Sequence, residues 1–237
     1  MNVLYLNCAT RLATSKGETP QRNWLKEYVC DNGIDVVCLA ESSNCNFNEV
    51  LPDIYKNENC WYPTDTFLAK RGYKMNICSK QDVIFKAINY GVSHELIDGD
   101  YEKVLMDYGY GTLISMRFND IEMVSVHIQY PQHKYQSPYN IYYELGLRTL
   151  HNYMQQKKPV AVFGDFNNYP GDASFDKLKT IYRDANTDPE AFSYINASSG
   201  TKFLLDHTFT VSDTLKMEYV DTLQHGFDHK GMLINIE

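Results

Sequence analysis

Eight polar residues stand where a folded scaffold could bring them to one place. Asn7 closes the apolar run Val3-Leu4-Tyr5-Leu6, and Glu41 closes Val36-Val37-Cys38-Leu39-Ala40. His127 ends Met123-Val124-Ser125-Val126, and Asp165 and Asn167 follow an apolar run in Gly164-Asp165-Phe166-Asn167. Asp206 opens Asp206-His207-Thr208-Phe209, and Asp228-His229 stand just before Gly231-Met232-Leu233. Carboxylates and amide oxygens hold hard divalent cations. A histidine fixed by a carboxylate moves a proton near neutral pH. Taken singly each is ordinary, since a carboxylate beside a strand is commonly a solvated turn or a helix cap. The ordered set is what carries chemistry.

The runs that must position these residues are short, rich in Val, Ile, Leu, Tyr and Phe, and bounded by turn residues, which predicts strands. They cover residues 2–8, 35–40, 75–79, 83–88, 111–118, 121–128, 159–163, 206–211 and 231–236, with a hairpin turn at Phe118-Asn119-Asp120-Ile121. Two stretches repeat apolar residues with helical period. Thr19-Pro20 caps one whose face is Trp24, Leu25, Tyr28 and Val29, and Asn32-Gly33 stops it. The other runs over residues 139–156 with Tyr142, Leu145, Leu150 and Tyr153 inward, and Pro159 lies beyond its end. Strands alternating with helices and hairpins predict an α/β fold, sheets covered by helices.

The chain has 237 residues and a formal net charge of −8, with 43% hydrophobic and 22% charged residues. This is a globular composition without repeats, linkers or low-complexity tracts, and it predicts one domain over residues 1–237. The acidic balance argues against a general nucleic-acid coat or a polybasic membrane binder, though not against a nuclease that meets DNA through a local patch or through cations. No apolar run approaches the roughly 18 residues a membrane span needs, and no membrane insertion is expected. The start, Met1-Asn2-Val3-Leu4-Tyr5, reads as a strand rather than a signal peptide. All six cysteines fall in the first third without Cys-x-x-Cys pairs, so reduced, mostly buried thiols and a cytoplasmic location are expected, with no zinc site.

The ordered set of motifs, from Asn7 to His229, resembles the endonuclease/exonuclease/phosphatase superfamily, the DNase I-like fold. The resemblance implies a four-layer α/β sandwich of two packed mixed β-sheets flanked by helices. It also implies divalent-metal-dependent hydrolysis of phosphate esters, with Mg²⁺ as the cofactor and Mn²⁺ as a substitute. Residue by residue, it makes Glu41 the principal metal ligand, Asn7 its support, and Asp228 a further ligand directly or through water. His229 corresponds to the catalytic histidine and Asp206 to the carboxylate paired with it. Asp165 and Asn167 correspond to the residues that hold the nucleophile and the phosphate oxygens. His127, in Val126-His127-Ile128-Gln129-Tyr130-Pro131, resembles the branches in which a histidine contacts the scissile phosphate, rather than the abasic-site endonuclease branch.

Other residues carry less. His207, next to Asp206, points to the opposite face by strand alternation and reads as structural. Lys70, Arg71, Lys74, Lys80 and Lys86, opposed only by Asp82, form a solvated face or a phosphate-tracking patch in which Arg71 is the best single substrate contact. The 19 tyrosines include a cluster around Tyr130 to Tyr143 that could stack on unpaired bases as well as pack. Three readings of function follow. A nuclease or DNA phosphodiesterase, with nucleic acid as substrate and no protein partner required, comes first. A phosphatase or sphingomyelinase-like phospholipid phosphodiesterase of the same fold is the alternative. An inactive binding module comes last, because a competent residue fills every motif position.

Overall fold

A computed structural model describes residues 1–9, 12, 19–42, 50–51, 55, 60–61, 75–88, 112–128, 130, 138–168 and 171–237, the side chains of 60–61, 112 and 138–142 excepted. In β1 (Asn2–Asn7) alternate residues go to opposite faces. Val3 and Tyr5 enter an apolar layer between two sheets, while Leu4 and Leu6 lie under α1 (Pro20–Asp31) with its Leu25 and Val29. Both faces are therefore covered, which is why the strand reads as a continuous apolar run. Thr19 accepts a hydrogen bond from the Arg22 main-chain N–H at 3.2 Å, and Asn32 caps the helix at its other end, as expected from the sequence.

The first sheet runs β13 (Lys216–Val220), β14 (Gly231–Asn235), β1, β2 (Val36–Ala40), β4 (Asn76–Ser79) and β3 (Cys60–Trp61). The second runs β5 (Ile84–Ala87), β6 (Thr112–Phe118), β7 (Ile121–His127), β8 (Ala161–Asp165), β12 (Asp206–Thr210) and β9 (Arg183–Asp184). A third, two-stranded ribbon pairs β10 (Tyr194–Ile195) with β11 (Lys202–Phe203). Helix α2 (Pro138–Lys157) covers the second sheet with Leu145, Leu147, Leu150 and Met154 packed on Val124, Val126 and Val162. Helix, sheet, sheet and helix give the four-layer sandwich expected from the sequence.

Each sheet contains one parallel pair, β1–β2 across α1 and β7–β8 across α2. β14 and β12 join these pairs antiparallel. Carboxyl ends of β1, β2, β7 and β8 thus lie alongside amino ends of β12 and β14, at one edge of the sandwich. The predicted strand over 159–163 begins and ends two residues later, so Asp165 is the last residue of β8 rather than part of a following loop. β13 and the two-residue strands were not expected. Asn119 and Asp120 form the hairpin loop between Phe118 and Ile121, with Asn119 at φ +52°.

Among the described cysteines, Cys78 departs from expectation. Cys8 and Cys38 are free and buried and Cys30 is free and exposed, but Cys78 is disulfide-bonded. The number and spacing of cysteines say nothing about strand register, which sets what stands beside Cys78 in β4. Among the described residues no helix is long and apolar enough to cross a membrane.

Candidate active site

Gly164 explains how Asp165 comes to lie beside His127. It adopts φ +141°, and a Cβ at this position would stand 1.9 Å from the Val126 carbonyl oxygen, so only glycine lets β8 run this close to β7. The parallel register then places His127 opposite Asp165, and the antiparallel register places Asp206 opposite Asp165 from the other side. Tyr5, reaching across from the first sheet, locks the same spot. Its hydroxyl accepts from the Asp165 main-chain N–H at 3.0 Å and donates to the Val126 carbonyl at 3.3 Å.

Asn7, fully buried, joins the two sheets chemically. Its Nδ2 donates to Glu41 Oε1 at 3.3 Å and to Asp165 Oδ2 at 3.0 Å, while its Oδ1 accepts from the Ala9 main-chain N–H at 3.0 Å. In this orientation Asn7 holds two carboxylates through its amide nitrogen. His127 Nε2 lies 3.4 Å from Glu41 Oε1 and 4.0 Å from Asp165 Oδ2. Burial opposes a charged imidazole there, but the hydrogen bond and charge of Glu41, with Asp165 behind it, raise the His127 pKa. Burial likewise opposes the Glu41 carboxylate, and His127 and Asn7 outweigh it and lower the Glu41 pKa.

His229 precedes β14, and its Nδ1 lies 2.8 Å from Asp206 Oδ2. Both residues are buried. Burial works against the imidazolium, but the charge and hydrogen bond of Asp206, aided by Asp165 and Asp228, raise the His229 pKa to about 9. Asp165 is raised to about 6, first by burial and then by the Asp206 carboxylate directly across the ladder. Ligand-capable atoms of Asp165, Asp206 and His229 all lie within 4.8 Å of one another. Asp206 Oδ1 and Asp228 Oδ1 are buried with no hydrogen-bond partner. Orphaned carboxylate oxygens beside other carboxylates are what a hard cation requires, so these residues fit a divalent ion. Four carboxylates (Glu41, Asp165, Asp206, Asp228) against two imidazoles leave room for its charge.

The structure thus gathers Asn7, Glu41, His127, Asp165, Asn167, Asp206, Asp228 and His229 at one edge of the sandwich. Asn167 sits at φ +47° with Nδ2 on the Ile128 carbonyl at 2.8 Å and its N–H on Asp165 Oδ1 at 2.8 Å, so it secures the β8 terminus. Ala9 (φ +42°) and Glu41 (φ +50°) share this left-handed backbone just past β1 and β2. Arg71 lies outside the described residues, as do Lys70 and Lys74. His207 pairs with Asp184, away from the cluster.

Sequence reasoning missed the hairpin β10–β11. Tyr194 bridges to His229 in the backbone ladder, its ring centroid is 4.7 Å from the imidazole, and Phe203 stacks behind it at 6.2 Å. The Tyr194 pKa is raised by burial and then by the charge of Asp228, with Tyr130, Asp165 and Glu41 adding to it. Phe203 and Tyr130 are exposed. An alternation longer than two residues would have been needed to read these strands from sequence.

No family model and no curated protein matches the chain. Solved structures do. The chain is similar to D. rerio TDP2 complexed with single strand DNA product, at 13% identity and TM-score 0.67, covering 100% of this chain and 99% of that one. It is also similar to the endonuclease domain of TRAS1, a telomere-specific non-LTR retrotransposon, at 16% identity and TM-score 0.59, covering 100% and 98%. An endonuclease/exonuclease/phosphatase family protein from Leptotrichia buccalis matches at 13% identity and TM-score 0.61, covering 100% and 99%. The chain has the DNase I-like fold that its motifs led us to expect.

Proposed function

We propose that this protein is a divalent-metal-dependent phosphoesterase, and specifically a nuclease or DNA phosphodiesterase. The observation that carries the reading is the meeting of Asp165, Asp206 and His229 within 4.8 Å, at the edge where Glu41, Asn7 and His127 also end their strands. Glu41 would hold Mg²⁺, with Asp228 as a further ligand and Asn7 fixing the Glu41 carboxylate. When bound, the ion supplies Lewis-acid compensation for charge on the phosphate and the leaving oxygen.

The chain's own groups then divide the remaining work. Asp165, with its pKa near 6, accepts a proton from the attacking water. His229, with its pKa near 9, is an imidazolium at neutral pH and binds a phosphate oxygen through Nε2 while Asp206 fixes its ring. His127, beside Glu41, lies on the other side of Asp165 from Asp206 and contacts the scissile phosphate on the leaving-group side. Asn167 lines the phosphate position between them. Tyr194 and Phe203 offer an apolar wall next to His229 that suits a sugar or base, which favours nucleic acid as substrate. The likeness to a TDP2 complex holding a single strand DNA product supports the same choice.

Purified protein with Mg²⁺ or Mn²⁺ should hydrolyse bis-p-nitrophenyl phosphate, and chelator should abolish this. A panel of plasmid DNA, single-stranded DNA, RNA, inositol phosphates and sphingomyelin then assigns the substrate class. Preference for a lipid or a phosphomonoester would replace the nuclease reading. Inertness toward every ester would leave a binding module.

A further inference from the structure

We infer that Ser193 is a positioning residue that sets the geometry of the His229–Asp206 pair, an inference that rests on the hydrolase reading above. The two partners of that pair come from separate strands, Asp206 from the second sheet and His229 from the turn before β14 in the first. Ser193 bonds the main chain on both sides, at Asp206 itself and at Lys230, the residue after His229. Its hydroxyl oxygen accepts from two successive main-chain N–H groups, Leu205 at 3.0 Å and Asp206 at 2.9 Å. Its carbonyl accepts from the Lys230 N–H at 2.6 Å, one residue past His229. The next residue, Tyr194, bridges to His229 itself, and Ile195 N–H donates to the Asp228 carbonyl at 3.1 Å.

Ser193 is fully buried. Two other hydroxyls among the described residues each hold one partner. The Tyr219 hydroxyl donates to the Asp206 carbonyl at 2.6 Å, and the Thr222 hydroxyl donates to the His229 carbonyl. Hydroxyl oxygens that accept two N–H groups are rigid anchors, since both donors are lost together when the oxygen is removed. Replacing Ser193 by alanine therefore releases the start of β12 while the ribbon keeps its grip on the histidine side. The expected result is a shift of Asp206 relative to His229 rather than global loss of structure. Displacements near 1 Å in such constellations cost turnover on the order of a hundredfold.

The test joins NMR with kinetics. In metal-free ¹⁵N-labelled protein, the low-field imidazole Nδ1–H resonances of the two histidine–aspartate pairs are assigned by their loss in His229→Gln and His207→Gln. In Ser193→Ala the His229 resonance should move or vanish, and the His207 resonance should stay. The kcat on bis-p-nitrophenyl phosphate should fall about a hundredfold with KM unchanged. An unmoved His229 resonance with wild-type kcat overturns the inference and leaves the hydrolase reading intact. Equal movement of both resonances marks a general loosening and also overturns it. A moved His229 resonance in a protein that hydrolyses no phosphodiester retains the positioning role and overturns the hydrolase reading. Should Ser193→Ala not fold, Ser193→Cys, whose thiol accepts hydrogen bonds weakly, carries the same comparison.

Discussion

β12 supplies residues to two histidine–aspartate pairs of equal length: Asp206 accepts from His229 and, one residue on, His207 meets Asp184, both at 2.8 Å. The strand's alternation sends them to opposite faces. His207 is packed against the rings of Phe166, Phe175 and Phe209, and its second nitrogen lies 3.3 Å from the Leu204 carbonyl. His229 has Asp165 and Asp228 acting on its charge, and its Nε2 makes no hydrogen bond among the described residues. A short His–Asp contact is thus no mark of catalysis. What separates the two pairs is whether the far nitrogen is consumed by the protein or left for something else.

The sharpest way to break this contrast is kinetic. His229→Gln should lower kcat on bis-p-nitrophenyl phosphate by on the order of a thousandfold, whereas His207→Gln should leave initial rates within about threefold of wild type in protein that remains folded. Equal losses would put both pairs in one class. Glu41→Gln sharpens the contrast from the metal side. It should raise the Mg²⁺ concentration for half-maximal rate by about ten- to a hundredfold, with His207→Gln as the unmoved control.

Stability should order the pairs the other way. His207→Ala opens a void among three phenyl rings and strips Asp184 of its partner, and it should cost about 2–3 kcal/mol in urea denaturation. The pH dependence of the metal-free protein tests the contrast a third way. His229 titrates near 9 when folded against 6.5 for a free imidazole, so its contribution is complete below pH 6.5 and disappears as pH rises through 9. Asp165 has the same sign, complete below 3.8 and lost as pH passes about 6. Stability in chelator should therefore decline as pH rises from about 6.5 through 9. His229→Gln should flatten the segment between 6.5 and 9, and His207→Gln should preserve it.

The sequence made the acidic and basic residues of the cleft legible because each closes or opens an apolar run, and strand ends are where a sheet releases its side chains. Sheets covered by helices were legible for the same reason, through β1, β2, β7, β8 and the two crossover helices, whereas the four layers came only from the resemblance of the motifs. Ser193 was not, because its work is done on main-chain N–H groups that every sequence possesses. Tyr5 looked like one more core residue, and its hydroxyl bonds span more than 120 residues of chain. β13 was hidden by partial exposure on both faces, and β10 and β11 by their two-residue length. Cys78 was misread since register decides bonding and composition does not.

Ala9, Glu41 and Asn167 bend left-handed immediately past three strand ends, a conformation that costs a residue with a Cβ about 1 kcal/mol. A protein shaped for endurance alone would carry glycine at all three. Only position 9 is open to that exchange, because the other two bring functional groups that glycine lacks. Hardening this molecule against heat must therefore begin at the periphery of the cleft and halt at its carboxylates, where longevity and chemistry draw on the same few bends of the chain.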